Sequence, residues 1–173
     1  MSAELSYSIV GSTDPLSARW SHFPEGFRRF ERTVVIGEGD EVWAFAAGEL
    51  MRWGVKRRSG FRIASSADVI EGADYVIDAG WGPFVAHEPV RVVAIVDESD
   101  RRGFAYGTLT GHPVSGEEAF IVHRSADDTV HFTLRSLTRP APNGPWRLLF
   151  PVLLLAQRFI RRRYLRALTP RSR

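Results

Sequence analysis

The chain has 173 residues, of which 44% are hydrophobic and 25% are charged, and this composition fits one globular domain and argues against disorder. It contains no cysteine, which excludes disulfides, cysteine-bound metals and thiol nucleophiles. The net charge of +3 is unevenly spread: from residue 140 onward there are eight arginines and no acidic residue, while the rest of the chain holds 15 basic and 20 acidic residues.

The sequence predicts a cytoplasmic protein. Residues 1–7 lack the basic start and apolar run of a signal peptide. The longest apolar run, residues 148–156, contains Pro151 and is much shorter than the about 18 residues of a membrane span. Lys56 is the only lysine among 23 basic residues, which we interpret as compositional bias rather than function.

We expect three segments in the chain. Residues 1–26 carry turn signals with little periodicity between them, so they are predicted to be irregular. A single domain is expected over residues 27–168, followed by a basic tail at residues 169–173. Within the domain, the proline-rich residues 140–145 form a short stiff linker.

A strand and then a helix are predicted at the start of the domain. Residues 30–36 are rich in β-formers and predict a strand, which the Gly-Glu-Gly at 37–39 ends. Asp40 is a suitable N-cap for a helix whose apolar stripe runs to Trp53. The basic residues 56–58 suit the C-terminal end of that helix, where cations complement the helix dipole.

Closely spaced strand patterns follow, joined by short turns, and this spacing favours an antiparallel meander. The predicted strands are residues 61–63, 75–79, 90–96, 104–109, 118–123 and 129–137.

The strongest helical pattern is residues 146–168, in which Pro151 lies in the first turn. Its apolar residues are predicted to form one broad face that covers the sheet, with arginines on the opposite face. The apolar face is Leu149, Val152, Leu153, Ala156, Phe159, Ile160 and Ala167, and the polar face is Arg158, Arg161, Arg162 and Arg166.

This order of elements resembles the helix-grip fold of the START and birch-allergen-like superfamily. The resemblance implies an α+β fold in which a twisted antiparallel sheet wraps a long C-terminal helix. It also implies a cavity between the sheet and that helix.

The segment at residues 106–120, YGTLTGHPVSGEEAF, carries a second resemblance. It is similar to a YGTLPGHPxxGEEAF-like stretch that marks a family of uncharacterised bacterial and plant proteins, a domain of unknown function, although Thr110 replaces the proline. Three further segments fit the same pattern: residues 30–46, 91–107 and 158–168. The resemblance covers about residues 27–168 and implies no catalytic residue and no cofactor.

Glu117 and Glu118 lie where a strand begins, close to His112. Neighbouring strand residues point to opposite faces, so one glutamate is expected to be exposed and the other buried. If Glu118 shares the inward face, Tyr106 and Thr108 of the preceding strand are placed to hydrogen-bond to it. A polar network that fixes the hairpin is the favoured interpretation, and an acid or base in a cavity is the alternative.

The remaining polar patterns favour structural interpretations. His123 and His131 flank one turn, which predicts a cross-strand pair, and no histidine spacing indicates a metal site. The glycines at 37 and 39 fit a tight turn better than a phosphate-binding loop, so no cofactor is expected. The tryptophans are interpreted as core residues.

Arg158, Arg162 and Arg166 are the candidates for binding an anion on the last helix. A solvated face is favoured, and an anionic membrane surface or a partner protein is the alternative. Few aromatic residues interleave with these arginines, so no nucleic-acid partner is expected.

Three functions follow from these patterns. The first is binding of a small apolar or amphipathic ligand between the sheet and the C-terminal helix. The second is a cyclase- or hydrolase-like enzyme with Glu118 or His112 as general base. The third is a membrane-surface or partner-binding protein that uses the arginine face. The candidate ligand-binding residues are Tyr106, Thr108, His112, Glu117 and Glu118.

Overall fold

The structure, a computed structural model, describes residues 3–63, 68–81 and 84–170. Within these residues the chain forms seven strands and three helices. In chain order they are β1 (Arg28–Glu38), α1 (Gly39–Leu50), α2 (Gly54–Arg58), β2 (Arg62–Ile63), β3 (Asp74–Trp81), β4 (Phe84–Asp97), β5 (Arg101–Thr108), β6 (Val114–Arg124), β7 (Thr129–Pro140) and α3 (Phe150–Ala167), with a short 3₁₀ turn at Pro145–Arg147 before α3.

All seven strands belong to one antiparallel sheet in the order β1-β7-β6-β5-β4-β3-β2. Helices α1 and α2 connect the two edge strands, and α3 follows the last strand. This is the α+β helix-grip arrangement that the sequence predicts, with the predicted meander in place. The strands are longer than predicted because pairing continues past the alternating segments, as at Gly116, where φ is 147° and a β-carbon would overlap the carbonyl oxygen of Leu137.

The inner face of the central strands carries the main core. It supplies large apolar residues, including Phe104, Phe120 and Phe132, and α1 and the end of α3 cover them. Trp53 lies at the centre of this core, with ring centroids 4.9 Å from those of both Tyr75 and Phe104. Its interpretation as a core residue is therefore confirmed.

Helix α1 departs from the prediction at both ends. It ends at Leu50, and Trp53 adopts a left-handed conformation (φ 61°) that separates α1 from α2. Glu38 occupies the N-cap position without a side-chain cap, so the prediction of Asp40 as N-cap is wrong. Asp40 lies in the first turn and forms an ion pair with Arg124 of β6, at 2.7 Å.

The N-terminal segment up to residue 27 packs on the outer face of the sheet and forms no helix or strand within the residues described. Arg135 of β7 is buried, forms an ion pair with Glu31 at 3.0 Å, and donates to main-chain carbonyls of the segment. Those carbonyls belong to Thr13, Asp14, Ser17 and Ala18. Buried main-chain carbonyls need such partners, so this arginine fixes a segment that lacks its own secondary structure.

Helix α3 contacts the core chiefly at its C-terminal end, where Tyr164, Ala167 and Leu168 are buried. The predicted single apolar face is wrong for Leu149, Val152 and Phe159, which are exposed. Arg161, predicted on the solvent side, is half-buried beside the sheet. The N-terminal half of α3 borders a cavity instead of a filled core, so helical spacing alone does not decide which side is covered. None of the helices described here is long and apolar enough to cross a bilayer.

Candidate functional site

A cavity of about 100 Å³ lies between α3 and the inner face of the sheet. This is room for several water-sized groups, since a single water needs about 10–15 Å³ by the same measure. Leu153, Ala156 and Ile160 of α3 line it together with Phe61. The polar and charged residues at its wall are Lys56, Glu88, Tyr106, Thr108, His112, Glu117, Glu118, Ser136, Thr138, Gln157, Arg161 and Tyr164.

Lys56 is a deeply enclosed charge of this cavity, with only 3% of its side chain exposed. Helix α2 carries it inward, and its Nζ donates to the Tyr164 hydroxyl at 2.6 Å and lies 3.3 Å from the Glu118 carboxylate. The ring centroids of Tyr106 and Phe61 lie 5.0 and 4.9 Å from Nζ. A buried ammonium is stable only when it is paired and hydrogen-bonded, and these contacts meet that condition.

Glu118 and Tyr106 face each other across β5 and β6. The Tyr106 hydroxyl donates to Oε2 of Glu118, the same oxygen that pairs with Lys56. Burial raises the pKa of Tyr106 and of Tyr164 well above the ordinary value, and the charge of Glu118 raises both further. Both phenols therefore stay protonated, and the Tyr106 hydroxyl donates to Glu118 while the Tyr164 oxygen accepts from Lys56.

His112 and Glu88 add two groups whose protonation the cavity shifts. Burial, followed by the charge of Lys56, lowers the pKa of His112 to about 3, so its imidazole is neutral near pH 7. Its Nδ1 lies 2.9 Å from the carbonyl oxygen and 3.1 Å from the main-chain nitrogen of Val114. Burial also raises the pKa of Glu88, although Lys56 opposes that shift, so the neutral acid is favoured relative to an exposed glutamate.

Arg161 is the second cation of the cavity. Its Nη2 donates to Ser136 at 3.2 Å and to Gln157 at 3.3 Å, and its guanidinium lies 4.1 Å from the centroid of the Phe30 ring. Its Nε is buried without a hydrogen-bond partner in the part of the chain that the structure describes. Burial lowers the pKa of this arginine, and the charge of Glu118 opposes that shift.

All five predicted ligand-binding residues, Tyr106, Thr108, His112, Glu117 and Glu118, border one cavity. Glu117, however, directs its carboxylate to the N-terminal segment, where it accepts from the Tyr7 hydroxyl and the main-chain N–H of Gly11. The two glutamates do take opposite faces, as strand alternation predicts. The expectation that one of them is exposed is wrong, because the N-terminal segment covers the outer face.

The other candidate residues lie away from the cavity. Arg158, Arg162 and Arg166 are exposed on α3. His123 and His131 form the predicted cross-strand pair, with parallel rings 4.8 Å apart. Within residues 3–63, 68–81 and 84–170, no group of three or more histidine, aspartate and glutamate side chains is placed to hold a metal ion.

The residues of the cavity that the sequence-based candidates miss include the charged Lys56, Glu88 and Arg161 and the phenol Tyr164. Lys56 stands out in the sequence as the only lysine of the chain, but that property alone does not indicate that it is buried. Arg161 and Tyr164 differ from their neighbours only in which side of α3 they occupy. Glu88 lies in a strand whose inner face is not evident from its sequence.

Comparison with known families identifies the chain by its sequence. The family model described as "Domain of unknown function (DUF1990)" matches residues 6–167. The chain belongs to this family. The match begins within the N-terminal segment, so the DUF1990 domain includes the residues that Glu117 and Arg135 hold on the sheet. A UPF0548 protein of Deinococcus radiodurans is 34% identical over 180 residues, covering 96% of this chain and 84% of the relative.

Solved structures share the fold at low sequence identity. A hypothetical protein of Helicobacter pylori, jhp0584, aligns with a TM-score of 0.58 and 11% identity over 85% of this chain and 88% of its own. Norcoclaurine synthase of Thalictrum flavum, in complex with dopamine and hydroxybenzaldehyde, aligns with a TM-score of 0.52 and 10% identity over 100% and 99% of the two chains. At such identity these alignments support the helix-grip fold of the DUF1990 domain and nothing about its ligand.

Proposed function

We propose that this DUF1990 domain binds a small amphipathic ligand in the cavity between α3 and the sheet. The observation that carries the proposal is a charge cluster, the buried Lys56 with the partly buried Glu118 and Arg161, beside a space that no side chain of the described residues fills. Burying charges beside a space carries a desolvation penalty, which a purely structural cavity avoids by being apolar. Ligand sites combine mostly apolar walls with a few fixed polar groups in this way.

The arrangement of the wall explains why the ligand is amphipathic. Leu153 and Ile160 of α3 and Phe61 supply apolar surface, while Lys56 and Arg161 supply charge on the same cavity. A wholly apolar ligand would leave the polar groups without partners, and a wholly polar ligand would gain nothing from the apolar residues.

Catalysis is the second candidate, and the geometry changes which residue would act as base. A general base works best with a pKa near the operating pH, and the pKa of His112 is lowered to about 3. Glu118 is already engaged by Lys56 and Tyr106. Glu88, whose pKa is raised by burial, is better suited, so an enzymatic function would depend on Glu88 and would be lost in Glu88→Gln while the fold is kept.

Two neighbouring residues of α3 provide a direct test of the binding site. Ala156 lines the cavity and is exposed at its edge, whereas Leu155 is exposed and does not line it. We expect Ala156→Trp to obstruct the cavity and Leu155→Trp to leave it open, and both substitutions should leave the fold intact because both positions are exposed.

The measurement is calorimetric titration with a neutral probe, methyl naphthalene-2-acetate, together with native mass spectrometry for a co-purified small molecule. The proposal predicts that the parent and Leu155→Trp bind the probe equally and that Ala156→Trp binds it at least tenfold more weakly. Equal binding by all three proteins, or no binding by the parent together with no co-purified molecule, would refute it.

A further inference from the structure

The Arg161 guanidinium is a half-buried cation without an acidic partner. No carboxylate of the described residues lies within ion-pairing distance of it, and its Nε has no hydrogen-bond partner. Its two hydrogen bonds reach neutral groups, Ser136 and Gln157. Half-buried charges usually have an opposite charge beside them, and Arg161 lacks such a counter-charge at the cavity wall.

The other charged residues of the cavity do not offset the charge of Arg161. Lys56 and Glu118 form an ion pair at 3.3 Å and offset each other. The Glu117 carboxylate is directed to the N-terminal segment, and burial raises the pKa of Glu88. Arg161 is therefore the cation of the cavity wall that has no ion-pair partner among the described residues.

We infer that the ligand of this cavity carries a carboxylate, which pairs with Arg161 while the apolar part of the ligand packs on Leu153 and Ile160. The inference rests on the proposed binding function and names the class of ligand. A guanidinium suits a carboxylate because its planar N–H groups match the two carboxylate oxygens. The Tyr164 hydroxyl lies on the same wall and accepts from Lys56, so its own proton can be donated to an oxygen that Arg161 does not reach.

A pair of probes that differ only in charge separates this inference from the proposed function. The probes are naphthalene-2-acetate and its methyl ester, titrated calorimetrically into the full chain. We expect the parent to bind the acid about ten- to a hundredfold more tightly than the ester, as a charge-assisted hydrogen bond predicts. Arg161→Gln should weaken binding of the acid far more than binding of the ester, so that the variant no longer prefers the acid.

Arg163→Gln is the matched control, because Arg163 lies on the same helix, is exposed and does not line the cavity. It should keep the preference for the acid. Equal binding of acid and ester by the parent would overturn the carboxylate assignment while leaving ligand binding intact. A preference for the acid that survives in Arg161→Gln would also overturn it. If neither probe binds to the parent, the carboxylate inference fails together with the proposed function.

A different observation concerns the outer side of α3. Leu148, just before the helix, and Val152, Leu155 and Phe159 within it recur at intervals of four, three and four, and so lie on one side. Their exposed fractions are 84%, 63%, 55% and 60%. We call these four residues the apolar stripe. Single exposed apolar residues are ordinary on a protein surface, but a contiguous row of them is typical of an interaction site.

Charge indicates what covers the apolar stripe. Arg158, Arg162 and Arg166 are exposed on the same helix, and no acidic residue occurs from residue 140 onward. A second copy of α3 would bring further arginines and no acid to pair with them. An anionic lipid surface supplies both what the stripe needs, an apolar interior, and what the arginines need, negative headgroups.

From this second observation we propose that the N-terminal half of α3 docks on an anionic membrane surface. The test is co-sedimentation of the full chain with vesicles of phosphatidylcholine alone or with 30% phosphatidylserine, at low and high salt. We expect the parent to pellet only with the anionic vesicles and to be released by salt, because surface charges are screened. Val152→Gln with Phe159→Gln should weaken binding on the order of tenfold or more.

Val35→Gln is the control for this test, since Val35 on β1 is 64% exposed, close to the 63% of Val152, but lies outside the stripe. It should pellet like the parent. Failure of the parent to pellet, or pelleting that the double variant does not reduce, would overturn the proposal. A concentration-dependent dimer in analytical ultracentrifugation that the double variant abolishes, without vesicle binding, would assign the stripe to a second copy of the chain instead.

Discussion

The Tyr7 hydroxyl donates a hydrogen bond of 2.8 Å to the Glu117 carboxylate, which joins residues 110 positions apart. Glu117 also accepts from the main-chain N–H groups of Gly11 and Thr13, each at 2.8 Å. The same contact requires Gly107 on the neighbouring strand, because a β-carbon there would overlap the Tyr7 side chain. Glu117 therefore holds the N-terminal segment on the outer face of the sheet.

Glu117→Ala should destabilise the protein by at least about 1–3 kcal/mol, because it leaves several buried donors without an acceptor. Tyr7→Phe removes one of these hydrogen bonds and should cost only about 1 kcal/mol. Urea denaturation measures both changes. Hydrogen exchange should show faster exchange at residues 7–13 in Glu117→Ala, and unchanged protection there would contradict the role that we assign to this glutamate.

Two leucines at the C-terminal end of the chain test how α3 is attached. Leu168 is fully buried in the main core, and Leu155 is exposed on α3. Leu168→Ala should therefore cost about 2–5 kcal/mol of unfolding free energy, and Leu155→Ala less than about 0.5 kcal/mol. Denaturant titrations compare the two variants, and similar losses would mean that the N-terminal half of α3 packs as firmly as its end.

The ion pair between Lys56 and Glu118 gives a non-additive prediction. Lys56→Met alone leaves the Glu118 carboxylate without its buried counter-charge and should cost about 3–5 kcal/mol. Adding Glu118→Gln removes the stranded charge, so the double variant should be more stable than Lys56→Met. A double-mutant cycle by chemical denaturation measures the coupling, and strictly additive losses would argue against a strong pair.

His112 predicts a specific pH dependence of stability. Its pKa is lowered from the ordinary value of 6.5 to about 3 in the folded protein, so the unfolded chain binds more protons between these values. The contribution of the neutral His112 side chain to the free energy of unfolding is therefore fully present above about pH 6.5. It is lost as the pH falls towards 3. In His112→Gln, the free energy of unfolding between pH 6 and 4 should fall less steeply, by up to about 1.4 kcal/mol per pH unit.

The exposed His22 serves as the control for this experiment, since His22→Gln should leave the pH profile of stability parallel to that of the parent. Chemical denaturation at several pH values between 4 and 7 provides the comparison. A profile for His112→Gln that runs parallel to the parent would show that this imidazole titrates normally in the folded state.

Local patterns in the sequence determined the strands, the meander and the C-terminal helix. Alternation along β6 placed Glu117 and Glu118 on opposite faces, because the side-chain period of a strand is two and does not depend on its surroundings. The pairing of His123 with His131 followed from a short turn for the same reason. These features needed only local geometry, so the sequence was sufficient for them.

Burial, in contrast, was decided only by the tertiary structure. The sequence did not show that the N-terminal segment shelters Glu117, or that Lys56 meets Tyr164, 108 residues away along the chain. It also assigned Arg161 to solvent and Val152 to the core, and the structure reverses both. Helical spacing determines which residues share a side, but the side that is covered depends on contacts with distant strands, and those contacts create the charged cavity.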